Sequence, residues 1–223
     1  MKNNYIRGYD KWKRLIDCCF ASAGLIVLSP IFMIIMMLLK IENPSGKTIF
    51  KQKRIGQNGR PFYIYKFRSL SEEAPESAPS KVIKAERFTT KLGRLMRKTG
   101  LDELPQLINV AMGDMSIVGP RPLIPEEGEI HNNRMTKGVY TLRPGITGLA
   151  QIHGGNSISD DEKLSWDYKY LVNRSLIMDL FICVKTFLIS ITGRITQRKV
   201  ADNTSPRLSD DDSPNISETV SDL

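Results

Sequence analysis

The chain of 223 residues contains few of the residues from which small proteins build metal sites or disulfide frameworks. It has three cysteines, Cys18, Cys19 and Cys183, and two histidines, His131 and His153. Three cysteines do not make the paired framework of a small secreted domain, and no Cys/His cluster has the spacing of a zinc site. The sequence also lacks a Walker A loop and a G-x-G-x-x-G turn, so these two nucleotide-binding motifs are excluded.

Charge is distributed unevenly along the chain. The formal net charge is +8, but residues 200–223 contain six acidic side chains and one basic side chain. Residues 1–199 therefore carry +13. A body of this charge predicts an anionic partner, which is nucleic acid, anionic lipid or a phosphorylated substrate. Nucleic acid has little support, because the aromatic residues are not interleaved with the basic ones in a recognisable module.

A run of 22 residues, 18–39, carries no charge. As one helix it would be about 33 Å long, enough to cross a bilayer core of about 30 Å. Ser29-Pro30 lies in its middle and predicts a bend or break, because proline lacks the amide that continues a helix. Basic residues flank the run on both sides: Lys11, Lys13 and Arg14 before it, and Lys40, Lys47, Lys51, Lys53 and Arg54 after it. Basic flanks favour the cytoplasm, so we favour a re-entrant hairpin over a kinked single span.

Local patterns predict the elements that follow. Residues 48–55 and 60–67 are β-prone runs on either side of Gly-Gln-Asn-Gly, which predicts a β-hairpin. Residues 102–112 predict a helix with Asp102 near its N-cap. Residues 117–126 and 143–149 are rich in proline and glycine and are expected to be irregular.

Residues 175–191 form a second apolar run, interrupted by Asp179 and Lys185. This pattern favours an amphipathic helix on a surface, with an ordinary buried helix as the alternative. We therefore predict an α+β fold: a re-entrant membrane hairpin, and a small, mostly helical domain with a β-hairpin and surface helices. The predicted parts are an N-terminal arm and membrane helix (1–47), the cytoplasmic domain (48–195) and an acidic disordered tail (196–223).

Several motifs follow one another in the middle of the chain. They are Arg97, Asp102-Glu103-Leu104-Pro105-Gln106-Leu107, Gly113-Asp114-Met115-Ser116, Gly119-Pro120-Arg121-Pro122 and Arg143-Pro144-Gly145-Ile146-Thr147-Gly148. With Ser29-Pro30 and Tyr65-Lys66-Phe67-Arg68-Ser69 upstream, this set resembles the bacterial sugar transferase family, the small monotopic phosphoglycosyl transferases that start surface-glycan and glycoprotein assembly. The resemblance is highly specific, because separate motifs occur in the family's order from about residue 10 to about residue 195.

The resemblance implies a reaction and a location. The family joins a sugar-1-phosphate from a UDP-sugar to a polyprenyl phosphate and releases UMP. The resemblance also implies a proline-broken re-entrant helix, with the catalytic domain on the cytoplasmic face of the bacterial inner membrane. It also implies a Mg²⁺ ion and a covalent phosphosugar intermediate on Asp102. The expected partners are thus a UDP-sugar, polyprenyl phosphate and the membrane, and not nucleic acid.

The chemistry of phosphoryl transfer suits the Asp-Glu pair. A carboxylate nucleophile at Asp102 would split one transfer into two easier steps. Mg²⁺ prefers oxygen ligands, so Asp102 and Glu103 are the expected metal ligands. Glu103 is alternatively the base that deprotonates the incoming polyprenyl phosphate. Arg97, five residues before Asp102, is expected to clamp phosphate or to orient the pair.

Other side chains are expected at the phosphates or the nucleotide. Arg121 lies between two prolines that nearly fix its backbone, which suits bidentate phosphate binding. Lys66 and Arg68 share one face of a strand and could hold the diphosphate, or face solvent. Arg143 is a further residue for a phosphate or a lipid headgroup. Asp167 matches a family acid and would position Lys66 or the nucleotide, unless it is an ordinary surface acid.

One loop departs from the family pattern. Many relatives have Asn-Gly-Arg-Asn where this chain has His153-Gly154-Gly155-Asn156, so the donor sugar stays open and His153 is expected to be structural. A different class of function is a membrane-surface binding or scaffold protein for anionic lipid or a glycan-assembly partner. It would explain the charge and the apolar segments, but not the combined Asp-Glu, Pro-Arg-Pro and Lys-x-Arg motifs.

Overall fold

The computed structural model describes residues 2–71 and 88–192, in which helices alternate with short strands. In chain order these elements are α1 (Lys2–Val27), α2 (Ser29–Glu42), β1 (Ile49–Ile55), β2 (Pro61–Phe67), α3 (Lys91–Thr99), α4 (Gln106–Met112), β3 (Ser116–Val118), α5 (Gly128–Thr136), β4 (Gly145–Thr147), α6 (Leu149–Ile152), α7 (Asp160–Asn173) and α8 (Leu176–Thr192). The predicted α+β class is confirmed. The acidic tail predicted at 196–223 lies outside the described residues, and the domain boundaries stay a prediction.

A sharp bend separates α1 from α2. The segments Gly8–Val27 and Ser29–Glu42 meet at 58°. Pro30 lies in the first turn of α2, where its missing amide costs no helical hydrogen bond, and Ser29 Oγ donates to the carbonyl of Ile26 at 2.8 Å. The predicted break at Ser29-Pro30 is therefore confirmed. In the described part of the chain no single helix has the length and apolarity to cross a membrane, whereas this bent pair together could.

The predicted β-hairpin is confirmed. The seven residues of β1 pair with the seven of β2 in antiparallel register. The turn contains Asn58 and Gly59 at φ 57° and 72°, a left-handed conformation that asparagine and glycine tolerate best. Alternation along the strands places Arg54 and Lys66 on one face and the exposed Lys53 on the other.

The helix predicted for residues 102–112 is wrong in its first turn. Asp102 lies in a separate 3₁₀ turn, Leu101–Glu103, and α4 begins only at Gln106. Pro105 lacks the amide that a continuous helix would use at this point, so the chain starts a new helix after it. Pro105 occupies the N-cap position, where no side chain caps α4.

The segments expected to be irregular contain a short parallel pair. Ser116 of β3 pairs with Gly145 of β4, and Val118 pairs with Thr147. A Cβ atom at Gly145 would lie 2.1 Å from the backbone nitrogen of Gly119, so the pair closes only around glycine. Strands of three residues are too short to produce a readable alternation of apolar and polar residues.

Both helices of the bent pair pack against the rest of the protein. One buried cluster contains Ala21 of α1 with Ile64, Val110 and Met115. A second contains Ile35 and Leu39 of α2 with Phe67 and Met96. Ile64 and Phe67 both belong to β2, so the two clusters fix the strand that carries Lys66.

The acid that interrupts α8 lies inside the protein. Asp179 is 7% exposed, accepts hydrogen bonds from the hydroxyls of Tyr9 and Tyr170, and forms an ion pair with Lys13 of α1. The opposite side of α8 leaves large apolar side chains uncovered, among them Ile177 and Phe181. α8 is therefore a surface helix with an outward apolar face, and the alternative of an ordinary buried helix is excluded.

Candidate active site

Lys66, Glu103 and Arg121 converge from three separate segments. β2 carries Lys66, the 3₁₀ turn carries Glu103, and the loop after β3 carries Arg121. Lys66 Nζ lies 2.5 Å from Glu103 Oε1, and Arg121 Nη2 lies 3.7 Å from the same oxygen. Asp102 is the neighbour of Glu103 in the turn and is 7% exposed. We call Lys66, Asp102, Glu103 and Arg121 the carboxylate cluster.

Gly100 makes the turn that presents the two carboxylates. It ends α3 at φ 75°, a left-handed conformation that favours glycine. No heavy atom lies within 4 Å of an ideal Cβ there, so backbone conformation rather than space requires the glycine. The amide of Glu103 then donates to the carbonyl of Gly100 at 3.1 Å, which closes the turn.

Glu103 is held in its charged form. Burial alone would raise its pKa, but Lys66 and Arg121 outweigh burial and lower the pKa to about 2. Burial lowers the pKa of Lys66, and Glu103 opposes that decrease. A carboxylate with this pKa is ionised at neutral pH and is a weak base, which argues against Glu103 as the base for the acceptor.

Asp102 has the opposite electrostatic character. Burial raises its pKa, the charge of Glu103 adds to the increase, and Lys66 and Arg97 oppose it. The ionised form of Asp102 is therefore less stabilised than that of Glu103, which makes Asp102 the more basic carboxylate. Paired groups whose pKa values are pushed apart are typical of sites with divided chemical roles.

Arg97 approaches the cluster from the last turn of α3. Its charge is close enough to Asp102 to oppose the raised pKa of that carboxyl. Its Nη1 donates to Thr89 Oγ1 at 3.5 Å. Arg97 therefore links Asp102 to the segment just before α3.

Arg54 is a residue of the site that the sequence analysis missed. Its Nη1 donates to the carbonyl of Pro122 at 3.0 Å, and its Nη2 donates to Gln52 Oε1 at 2.6 Å. Burial and the nearby charge of Arg121 lower the pKa of Arg54 to about 10. The signal that could have found it is strand alternation, which places Arg54 on the same face as Lys66.

A buried ion pair supports the loop of Arg121 from behind. Arg134 Nη2 lies 2.5 Å from Asp167 Oδ2, and the two side chains are 3% and 2% exposed. Arg134 Nη1 donates to the carbonyl of Arg121 at 2.8 Å. The structure thus places Asp167 against Arg134 rather than at the surface, and Arg134 connects Asp167 to the backbone of Arg121.

Two predicted phosphate residues lie apart from the carboxylate cluster. Arg68 lines a cavity of about 220 Å³ between the end of α2 and the start of α3. Arg143 donates from Nε to the carbonyl of Gly113 at 3.0 Å, and it lines a separate cavity of about 80 Å³ with Arg14. The structure therefore divides the predicted phosphate-binding residues among three places.

His153 makes packing and backbone contacts. Its Nδ1 donates to the carbonyl of Leu149 at 2.8 Å, because a carbonyl oxygen only accepts and the proton is therefore assigned to Nδ1. Its ring stacks on that of Trp166, with the ring centroids 3.9 Å apart. These contacts agree with a structural role. Gly155 has φ 54°, and no heavy atom lies within 4 Å of an ideal Cβ there. As a glycine, it provides no side chain that could contact a substrate.

The residues present fit a Mg²⁺ ion only in part. The described ranges contain no group of three or more His, Cys, Asp or Glu side chains arranged for a metal. Mg²⁺ is commonly bound by one or two carboxylates, with substrate phosphates and waters completing its shell. Lys66 occupies Oε1 of Glu103, which leaves Oε2 and the Asp102 carboxylate as donors. These two residues suit a Mg²⁺ ion that arrives with a diphosphate.

A family model described as bacterial sugar transferase matches residues 8–193. The chain belongs to the bacterial sugar transferase family. The exopolysaccharide production protein ExoY of Rhizobium meliloti is 38% identical over 192 residues, covering 78% of this chain and 83% of ExoY. The uncharacterized sugar transferase EpsL of Bacillus subtilis is 39% identical over 188 residues, covering 83% and 90%.

A third relative carries a more specific name. The UDP-glucose:undecaprenyl-phosphate glucose-1-phosphate transferase of Caulobacter vibrioides is 34% identical over 186 residues, which cover 79% of this chain and 68% of that relative. The carboxylate cluster, Arg54 and the Arg134–Asp167 pair all lie inside the region that matches the bacterial sugar transferase family.

Removing one partner of the buried pair is expected to destabilise the protein. Asp167→Ala should lower the free energy of unfolding by about 3 kcal/mol, because it leaves the Arg134 guanidinium buried and unpaired. The double replacement Arg134→Met with Asp167→Leu should recover part of this loss. Denaturant unfolding of the detergent-solubilised protein measures both, with Glu129→Ala on the exposed side of α5 as the control. Equal stability of Asp167→Ala and the control would contradict the assignment.

Proposed function

We propose that this protein transfers a sugar-1-phosphate from a UDP-sugar to a polyprenyl phosphate and releases UMP. The observation that carries the proposal is the buried carboxyl of Asp102 beside the Glu103 carboxylate, which contacts Lys66 and Arg121. The name of the Caulobacter relative, which describes glucose-1-phosphate transfer to undecaprenyl phosphate, supports the same reaction class. The sugar is left open, because Gly155 removes a side chain that many relatives have.

In the first step, a carboxylate oxygen of Asp102 attacks the phosphorus that carries the sugar. The bond from that phosphorus to the bridging oxygen breaks, and UMP leaves with the electron pair. Asp102 then holds the sugar phosphate as an acyl phosphate. Arg121 and Lys66 stabilise the charge on the phosphate oxygens. Arg121 is the more accessible cation, since its side chain is 36% exposed and that of Lys66 is 17% exposed.

In the second step, a phosphate oxygen of the polyprenyl phosphate attacks the same phosphorus. The bond to Asp102 breaks, the carboxylate is restored, and the product is a polyprenyl diphosphate sugar. A phosphate monoester has a second pKa of about 6, so at neutral pH most of the acceptor needs no base. Mg²⁺, held by Asp102 and Glu103, would supply further neutralisation of phosphate charge.

The bent pair is proposed to enter the cytoplasmic leaflet of the inner membrane and return to the same side. Residues 18–27 of α1 measure about 15 Å, half of a bilayer core of about 30 Å. One side of each helix packs on the protein, and the other side is uncovered and apolar: Val27 is 74% exposed and Met33 is 61% exposed. The outward apolar face of α8 and the basic residues on both flanks would then rest on the same membrane surface.

Asp102→Asn is expected to abolish the first step, because an amide cannot act as the nucleophile. Wild-type protein given a UDP-sugar labelled at the β-phosphate, without acceptor, should retain the label, and the variant should retain none. UMP release should fall by about a thousandfold or more. UDP-hexoses and UDP-N-acetylhexosamines are screened in parallel, and the exposed Asp161→Asn is the control. Full turnover by Asp102→Asn would exclude the covalent mechanism, and no UMP release with any donor would exclude the reaction.

The re-entrant arrangement predicts that both ends of the bent pair face the cytoplasm. In a background with the three native cysteines replaced, Gly8→Cys and Ser45→Cys should react with a membrane-impermeant maleimide only in inverted vesicles. Both positions are exposed, and a Cβ at Gly8 meets no heavy atom within 4 Å. Arg60→Cys on the hairpin turn is the reference for the catalytic side. Labelling of positions 8 and 45 from opposite sides would establish a span instead.

A further inference from the structure

A cavity of about 220 Å³ lies where α2 ends and the catalytic strands begin. Leu39 of α2, Lys47 of the following turn, Arg68 after β2 and Thr90 before α3 all line it. A water molecule takes roughly 30 Å³ in the liquid, so the cavity has room for a phosphate group and the first atoms of a chain attached to it.

The polar lining suits an anion. Among the described residues that line it, Lys47 and Arg68 are positively charged, and Glu42 at the exposed end of α2 is negatively charged. Arginine binds phosphate with two parallel donors, and lysine adds a mobile point charge. Thr90 accepts a hydrogen bond from the amide of Gly93 at 2.9 Å, so its own hydroxyl proton is available to a ligand.

The cavity is close to the carboxylate cluster but separate from it. Lys66 and Arg68 are two residues apart along the chain, about 7 Å in extended backbone. Arg97 provides a second connection, since it acts on Asp102 and donates to Thr89. Thr89 in turn forms a backbone bridge with Leu70, another lining residue. A short chain of contacts therefore connects the cavity to Asp102.

The stripe of α2 that leads away from the cavity is apolar. Leu38 and Ile34 lie one and two turns before the lining residue Glu42, and they are 39% and 53% exposed. A UDP-sugar has no apolar chain to lay against these residues, whereas a lipid phosphate has one. We propose that this cavity receives the phosphate of the polyprenyl acceptor, with its chain along the exposed face of α2, and that the donor diphosphate binds separately at Lys66 and Arg121. This inference rests on the proposed function.

The test separates the two substrates. Arg68→Ala and Lys47→Ala should each lower kcat/KM for undecaprenyl phosphate, by about tenfold or more for Arg68→Ala, because a charge-assisted hydrogen bond to phosphate is lost. kcat/KM for the UDP-sugar and retention of the β-phosphate label without acceptor should stay within about twofold of wild type. Arg68→Lys should recover part of the loss. Arg60→Ala, an exposed arginine of the same hairpin, is the matched control.

Several outcomes would overturn the acceptor site alone. Loss of labelling in Arg68→Ala, with thermal unfolding unchanged, would place Arg68 at the donor. Unchanged kcat/KM for undecaprenyl phosphate in both alanine variants would leave the cavity without a role. A short-chain prenyl phosphate should compete with the acceptor, and equal competition by phosphatidylglycerol would show a general anionic-lipid site instead. Absence of turnover in wild-type protein would refute the proposed function itself.

Discussion

The half-buried carboxylate of Glu103 binds Lys66 directly and faces Arg121, so segments distant along the chain converge on one oxygen. The nearby cations would otherwise repel one another: the charge of Arg121 lowers the pKa of both Lys66 and Arg54. Glu103 offsets that repulsion and keeps the positive groups together in the absence of a phosphate. Its low pKa is the consequence of this role, since every neighbouring cation stabilises its charge.

The adjacent carboxylates of Asp102 and Glu103 have different roles in this arrangement. Glu103 holds the cationic side chains of Lys66 and Arg121 together. Burial raises the pKa of Asp102, so its carboxylate is more basic than that of Glu103. The backbone holds the pair on a turn set by Gly100, and two arginines hold the loop of Arg121: Arg54 through the carbonyl of Pro122, and Arg134 through that of Arg121 itself. The positions of the reactive groups therefore depend on charged side chains that contact one another and the backbone.

Sequence reasoning succeeded where the signal is local. Ser29-Pro30 predicted the bend because one missing amide decides it, and Gly-Gln-Asn-Gly predicted the hairpin because the turn needs left-handed backbone. It failed for the first turn of α4, because an aspartate before an apolar run has the pattern of a helix cap, whereas Pro105 begins a separate helix.

Residues with tertiary roles could not be predicted in the same way. Arg54 belongs to a basic run that is also typical of the flank of a membrane segment. The strand register shows that Arg54 lies on the same face of the hairpin as Lys66. The partner of Asp167 is 33 residues away on α5, and no local pattern connects them. Strands β3 and β4 pair with each other, but each is too short to show an alternation of apolar and polar residues in the sequence.

The pH dependence of Glu103→Gln tests the central claim most directly. If Glu103 only organises cations, kcat/KM for the UDP-sugar should fall at all pH values. The acid limb set by ionisation of Asp102 should persist and move to lower pH, because the negative charge that helps to raise the Asp102 pKa is gone. The exposed Glu129→Gln should leave the profile unchanged. Disappearance of the acid limb in Glu103→Gln would show that Glu103 is the titrating base and would contradict this account.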